Sequence, residues 1–463
     1  MTPVNTATAP ASAVWSLLGG DSRWPDRLRY TGRPGLPARL PVAGLAATTV
    51  GVCALAAAEF AGARGAVTVD EGAVAAAFTS ERLLRVDGRA VSTFAPLSHF
   101  WRTADGWLRT HANYPHHRAR LLTALGVAER GDEAATAGAV ERRLAGLRAA
   151  EAAELVQEAG GLAVAVRDAS DWLAHPQGAA VAGRPLVRRD PLADGPAPPP
   201  GSRPRVLDLT RVIAGPVATR TLALLGADVL RVDSPGLPEL ADAHADTGFG
   251  KRSTLLDLNS PADRREFDGL LDQAHVVVTG YRPGALDRYG LDAASLAERR
   301  PGLVVAQLSA WGEDGPWGGR RGFDSLVQAA CGIAVRESPG DRVPGALPAQ
   351  ALDHGTGYLL AAAVLRALSD QHRGRAGAVR LRFALARTAH WLQHELPASP
   401  GGSGWSTPAE DGGSTERAAA WLAERPSPLG ALRYVRSPVG YPGGPEDWAR
   451  PPGVPGSDPP SWA

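Results

Sequence analysis

Asp353 stands in Ala351-Leu352-Asp353-His354-Gly355-Thr356-Gly357, directly ahead of the apolar, helix-forming stretch Tyr358–Leu368. A carboxylate at the mouth of a helix lies in the positive end of the helix dipole, and two nearby glycines let a thioester or a ligand's backbone come close. That pattern suits a nucleophile or an acid–base group. The same aspartate also reads as an ordinary N-cap worth ~1 kcal/mol, and the pattern alone does not separate the two. His111, His116 and His117 lie close together, but their spacing is no zinc frame and no carboxylate accompanies them, so no metal site is expected. Arg282, Arg288, Arg299 and Arg300 flank Tyr281 and Tyr289, types that grip phosphates and stack a base, although such charge also forms plain solvated helix faces. Lys251 is the only lysine in the chain. No G-x-S-x-G, Walker loop or H-E-x-x-H occurs, which removes local support for serine hydrolases, P-loop enzymes and zincins.

Elements that position these residues follow the linker-like Pro191–Pro204, rich in proline and glycine. Val206–Leu209, Val229–Val232, Val276–Thr279 and Leu303–Leu308 read as buried strands, with helices at Pro216–Leu225 and Pro261–Gln273. Valine- and leucine-rich strands joined by helix-length connections predict an α/β, doubly wound, Rossmann-like parallel sheet. The first strand-to-helix turn, Arg211 to Pro216, lacks G-x-G-x-x-G, which argues against a nicotinamide enzyme. Before the linker, a helical run over Thr136–Ala159, a strand at Leu162–Val166 and a helical Ala169–Leu173 predict a smaller α/β domain. An internal echo is visible: Ala54 to Val67 and Ala363 to Val379 each run from an alanine-rich helix through a basic turn to a strand.

The whole chain of 463 residues has 49 basic and 48 acidic side chains, a net +1, so no global field exists to hold nucleic acid or an anionic membrane. Cys53 and Cys331 are too few for a disulfide framework and sit in apolar surroundings, consistent with a cytoplasmic protein. The opening residues lack the basic segment of a secretory signal. Pro41 to Ala58 carries no charge for eighteen residues, yet its alanines, glycines and threonines supply little drive for insertion, so a buried helix is expected.

Six ordered segments resemble the family III CoA-transferases, the group of formyl-CoA and carnitine CoA-transferases that also contains α-methylacyl-CoA racemase. They are Arg205–Pro216, Leu225–Asp233, Gly250–Ser253 with Leu256–Leu258, Tyr281–Gly290, Gly312–Pro316 and Gly322–Asp324. Residues 41 to about 190 resemble the family's second half, through Asp105–Leu108 and Trp172–Gln177, so that the second half precedes the first. The tail resembles the family's final segment at Leu429–Arg433, Ser437–Val439 and Arg450–Pro452. The implied divisions are an N-terminal segment (1–40), a helix plus small domain (41–190), a linker (191–204) and a Rossmann-like CoA-binding domain (205–395). A loop-rich segment (396–428) and an extended tail lying over other elements (429–463) follow.

The resemblance makes Asp353 the nucleophile, with helix-start N–H groups after it as oxyanion donors, and places Ala214, Leu256, Tyr281 and Arg288 on the adenosine-phosphate side of CoA. Lys251 and Arg252 would be neighbours. It implies transfer of CoA from an acyl-CoA to a carboxylic acid, with no permanently bound cofactor, no nucleic acid and no membrane. The two halves would dock within one chain or across a homodimer. In the earlier copy the nucleophile position falls at Val42-Ala43-Gly44, without a carboxylate. The family's other readings are a non-catalytic paralogue or partner subunit, and a racemase. Phe323 stands where the racemase branch has a proton-carrying histidine, and His354 is expected to project away from Asp353, at the surface.

Overall fold

The computed structural model describes residues 8–92, 94–129, 131–196, 202–398 and 416–463. The long uncharged stretch forms helix α1, Val42–Phe60, in which Leu45 through Glu59 are buried. Among the described residues it is the one helix long and apolar enough to cross a membrane, and 89% of that stretch is covered by the protein itself.

A seven-stranded sheet organises the second half. Its strands in chain order are β1 (Arg188–Ala193), β2 (Arg205–Leu209), β3 (Asp228–Asp233), β4 (Arg252–Leu255), β5 (Val276–Thr279), β6 (Val304–Ser309) and β7 (Ala378–Ala384). In space the order is β4-β3-β2-β5-β6-β7-β1, all parallel except β1, which pairs antiparallel with β7. Four expected strands are present within a residue of their predicted bounds. β1 corrects the linker boundary, since Arg188–Ala193 belongs to the sheet. Pro191, which read as linker, is tolerated on an edge strand because no ladder bond needs its missing N–H. Residues 197–201 of that linker, and 399–415 of the loop-rich segment, lie outside the described residues.

Side chains alternate across the sheet with the period of two that a strand imposes. Val206, Val229, Val276, Val278 and Val304 point into the main core, which contains α1. Helices α2 (Ala214–Leu224) and α5 (Ala351–His372) fill the same core. Leu207, Leu230, Val277 and Val305 face the other way, onto Phe267, Leu270 and Leu271 of α3 (Pro261–Leu271) and Leu296 of α4 (Ala293–Arg299). Every residue of α5 from Ala351 to Gln371 is buried, the mark of a helix enclosed on all sides. It packs along α1 and α2. The internal echo thus becomes two adjacent helices, each followed by a strand, Val67–Asp70 after α1 and β7 after α5.

A smaller unit carries a three-stranded antiparallel sheet, Phe100–Arg102, Trp107–Thr110 and Ala163–Ala165, with its own core around Trp101, Leu108, Leu122 and Val156. The run expected as one helix over 136–159 is two, Glu133–Ala145 and Ala149–Glu158, broken at Gly146. The tail is extended only in part. Leu422–Ser427 and Gly430–Val435 form a hairpin whose second strand pairs with Arg85–Val86.

Candidate active site

In space β2 lies between β3, the next strand in the chain, and β5, which the chain reaches only after β4 at the edge, so the strand order reverses there and a crevice opens beyond the carboxyl ends of these strands. A cleft of ≈ 660 Å³ occupies that position. Asp353 lies in it, and so do Ala214, Leu256, Tyr281 and Arg288, from four different segments of the chain. The small unit closes the cleft with Tyr114, His116, His117 and Arg120.

Asp353 is the third residue of α5, not its cap, and the cap position is Gln350. Its backbone N–H donates to Oδ2 of Asp324 at 2.9 Å. Asp324, at the start of the helix Asp324–Ala330, is fully buried and also accepts from the Gln328 amide. Asp353 is 6% exposed, and its carboxyl has no hydrogen-bond partner among the described residues. Burial first, then the charges of Asp324 and Glu81, hold its carboxyl well above the ordinary range. Burial likewise raises Asp324 to about 6. Two carboxyl groups this close in an apolar site resist ionising together.

Across the cleft, Phe323 stacks flat on His111 with ring centroids 3.9 Å apart. Burial keeps His111 and His117 neutral, depressing them to about 3 and about 2 respectively, with neighbouring cationic groups adding to the effect. The histidines are therefore an aromatic wall. On the far side, the Arg288 guanidinium lies 4.6 Å over the Tyr289 ring, and the Tyr289 hydroxyl donates to Asn259 at 2.9 Å. Arg282 joins the same lining. A second cleft, ≈ 690 Å³, shares the Tyr281–Leu286 wall, but its arginines are matched by acids: Arg382 binds both Glu313 and Asp190. No nucleophile lines it comparable to Asp353.

Residues 202–421, which hold all five of these cleft positions, match the family model described as CoA-transferase family III. This part of the chain is similar to CoA-transferase family III. Over 182 residues the chain is 37% identical to the probable fatty acyl-CoA transferase Rv3272 of Mycobacterium tuberculosis, covering 36% of this chain and 46% of that protein. Over 325 residues the chain is 30% identical to the acetyl-coenzyme A transferase nodX of Hypoxylon pulicicidum, covering 64% of this chain and 54% of that protein. A formyl-CoA:oxalate CoA-transferase of Afipia carboxidovorans is 32% identical over 185 residues, 37% of this chain and 43% of that one. A crystal structure of Rv3272 aligns at 35% identity with a TM-score of 0.39, over 43% of this chain and 58% of that one. The chain spans about half the length of the curated relatives it matches.

Several expectations for this segment change once side chains are placed. Gly355 and Gly357 serve helix packing. A Cβ at Gly355 would meet Leu45 of α1 at 2.6 Å, and one at Gly357 would meet the Ala214 carbonyl at 2.5 Å. The N–H of Asp353 is taken by Asp324 and that of His354 by the Gln350 carbonyl, so the expected oxyanion donors after Asp353 are occupied. Lys251 is not in the cleft: its ammonium is buried against Asp208 at 2.9 Å and the Pro216 carbonyl at 3.0 Å. Arg252 pairs with Asp228, and Arg299 with Asp268 and Asp272. His354 does project away from the cleft, yet it is fully buried, stacked on Phe78 with Nε2 3.1 Å from Glu81. Sequence reasoning quoted Asp324 without giving it a role and missed Glu81, since nothing local signals a partner 273 residues away.

Proposed function

We propose that the chain is a CoA-transferase that moves CoA from an acyl-CoA donor to a carboxylic acid, with Asp353 as the nucleophile. The observation that carries the reading is a buried carboxyl without a hydrogen-bond partner among the described residues, in a cleft that also holds Ala214, Leu256, Tyr281 and Arg288. The names of the relatives agree with it. The Asp353 carboxylate attacks the thioester carbonyl and the C–S bond breaks, giving a mixed anhydride and CoA thiolate. The thiolate then attacks the aspartyl carbonyl, releasing the donor's carboxylate and leaving an aspartyl-CoA thioester. An acceptor carboxylate attacks this thioester, and the returning thiolate takes the acceptor's acyl group and frees Asp353. Splitting the exchange this way keeps the thioester's energy in each intermediate. A carboxyl of raised proton affinity is, once ionised, poorly solvated and correspondingly nucleophilic.

In this reading Tyr281 and Arg288 take the adenosine-phosphate end of CoA, through stacking and charge-assisted hydrogen bonds, while Ala214 and Leu256 line its path. CoA is a substrate and not a resident cofactor. The fold reading extends in the same way: a doubly wound, Rossmann-like domain, with residues 41–190 standing as the family's second half placed ahead of its first. Intact-mass measurement after incubation with a panel of acyl-CoAs tests the chemistry. The wild type gains an acyl or CoA adduct that hydroxylamine converts to a hydroxamate on Asp353, inactivating the enzyme, and Asp353→Ala gains none and loses on the order of 1,000-fold or more in turnover. Turnover surviving in Asp353→Ala would overturn the mechanism.

A further inference from the structure

Val212 sits in the turn between β2 and α2 with φ of +70°, and it lines the cleft. A β-branched residue in the left-handed region is strained, and such a conformation persists only where the surroundings over-determine it. Here they do. The Val212 N–H donates to Oε2 of Glu239 at 2.9 Å, and Glu239 is a buried carboxylate that also accepts from the Leu240 N–H at 2.9 Å and from Arg231 at 3.1 Å. Its fourth partner is the hydroxyl of Tyr114, which comes from the small unit and stands 125 residues away in sequence. The neighbouring Arg211 is held as well, its guanidinium 4.7 Å over the Tyr114 ring and bonded to the Pro238 carbonyl at 2.7 Å.

The turn leads directly into Ala214, the first residue of α2. The Ala214 carbonyl lies against Gly357 of α5 so closely that a Cβ there would come within 2.5 Å. Gly357 is four residues after Asp353, on the same face of the helix. The shape of the 210–214 turn therefore sets where the wall around Ala214 stands relative to the Asp353 carboxyl.

We infer that Glu239 and Tyr114 are positioning residues that hold this strained turn, so that Ala214 and Asp353 meet the acyl-CoA in a fixed relation. The inference rests on the reading of the cleft as the acyl-CoA site. It also gives the small unit a part in the chemistry, because Tyr114 lies outside the segment matched to the family.

The test uses the full chain as wild type, Tyr114→Phe, Glu239→Gln, and each of these combined with Val212→Gly. Tyr114→Phe and Glu239→Gln each lower kcat/KM by about 10- to 100-fold, the range a displacement of about 1 Å in a reacting pair produces. Glycine adopts positive φ without strain, so adding Val212→Gly restores most of the loss. A residue needed only for overall stability would not be rescued this way. Hydrogen exchange of amides 210–214 gives a readout independent of turnover: faster in the single variants than in the wild type. If the wild type transfers CoA from no acyl-CoA tried, the functional reading falls while exchange still decides the clamp. Exchange at 210–214 unchanged in both single variants, or failure of Val212→Gly to rescue either, overturns the inference. Should Glu239→Gln not fold, Tyr114→Phe, which removes a single hydroxyl, decides it with the same criteria.

Discussion

Asp353 and Asp324 share a site that holds less negative charge than two free carboxylates would carry, and this ties stability to pH in a definite direction. Burial pushes Asp324 up to about 6 in the folded chain from an ordinary 3.8, and burial with the charges of Asp324 and Glu81 also holds Asp353 well above that ordinary value. Between those values the folded state keeps protons that the unfolded state has released, so stability is full below the ordinary carboxylate range and is lost as pH rises through the folded values. Replacing Asp353 by Asn removes one of the competing charges. The thermal midpoint of Asp353→Asn is then expected above that of the wild type at about pH 8, with the gap closing toward about pH 4. Melting curves across that range check it, and a gap independent of pH would mean that Asp353 is an ordinary carboxyl. Sequence made Asp353, Ala214 and Tyr281 legible because their motifs are local and ordered. Glu239 and Tyr114 carry no such mark, since their meeting depends on how two distant segments pack. His354 was read correctly in direction, but a helix buried on every side has no surface to point toward.

At the scale of elements, α5 was foreseen as starting after Gly357, since glycines usually weaken a helix by about 1 kcal/mol relative to alanine. The helix instead begins at Ala351 and runs through both glycines, which face close neighbours in α1 and α2. The two positions differ in what a methyl would meet. At Gly355 it is the flexible end of Leu45, at Gly357 the backbone carbonyl of Ala214. Gly355→Ala should consequently be nearly neutral, the gain in helix propensity offsetting a small shift of Leu45. Gly357→Ala should destabilise by about 1–3 kcal/mol, the usual cost of overpacking where backbone must yield, and should also weaken CoA binding by moving the start of α2. Denaturant melts of the two variants rank them, and the reverse order would contradict the packing argument. The strand β1 was illegible for a related reason: its proline and polar side chains read as linker, and only an edge position on an otherwise parallel sheet accommodates them.

At the scale of the molecule, the two halves share one core. Helix α5 is enclosed by α1 from the first half and α2 from the second, and ion pairs cross the same boundary. Glu59 of α1 bonds Arg366 and, at 2.9 Å, Arg373, while Glu337 accepts the N–H groups of Arg39 and Leu40 at 3.0 and 2.8 Å. Removing residues before the linker would strip α5 of its α1 face and leave Arg366, 1% exposed in the intact chain, with Asp370 alone as its acidic partner. Breaking a buried pair by deleting one partner typically costs about 3–5 kcal/mol, and an exposed apolar helix face adds a drive to associate. That sum is comparable to the whole stability of an ordinary domain, roughly 5–15 kcal/mol. Residues 202–463 expressed alone are therefore expected to be insoluble or aggregated, and co-expression with residues 1–196 should return them to solution as a one-to-one complex. Light scattering of the purified material distinguishes the outcomes. A monodisperse 202–463 fragment would show that α5 tolerates losing α1, and the shared core would not be what holds the halves together.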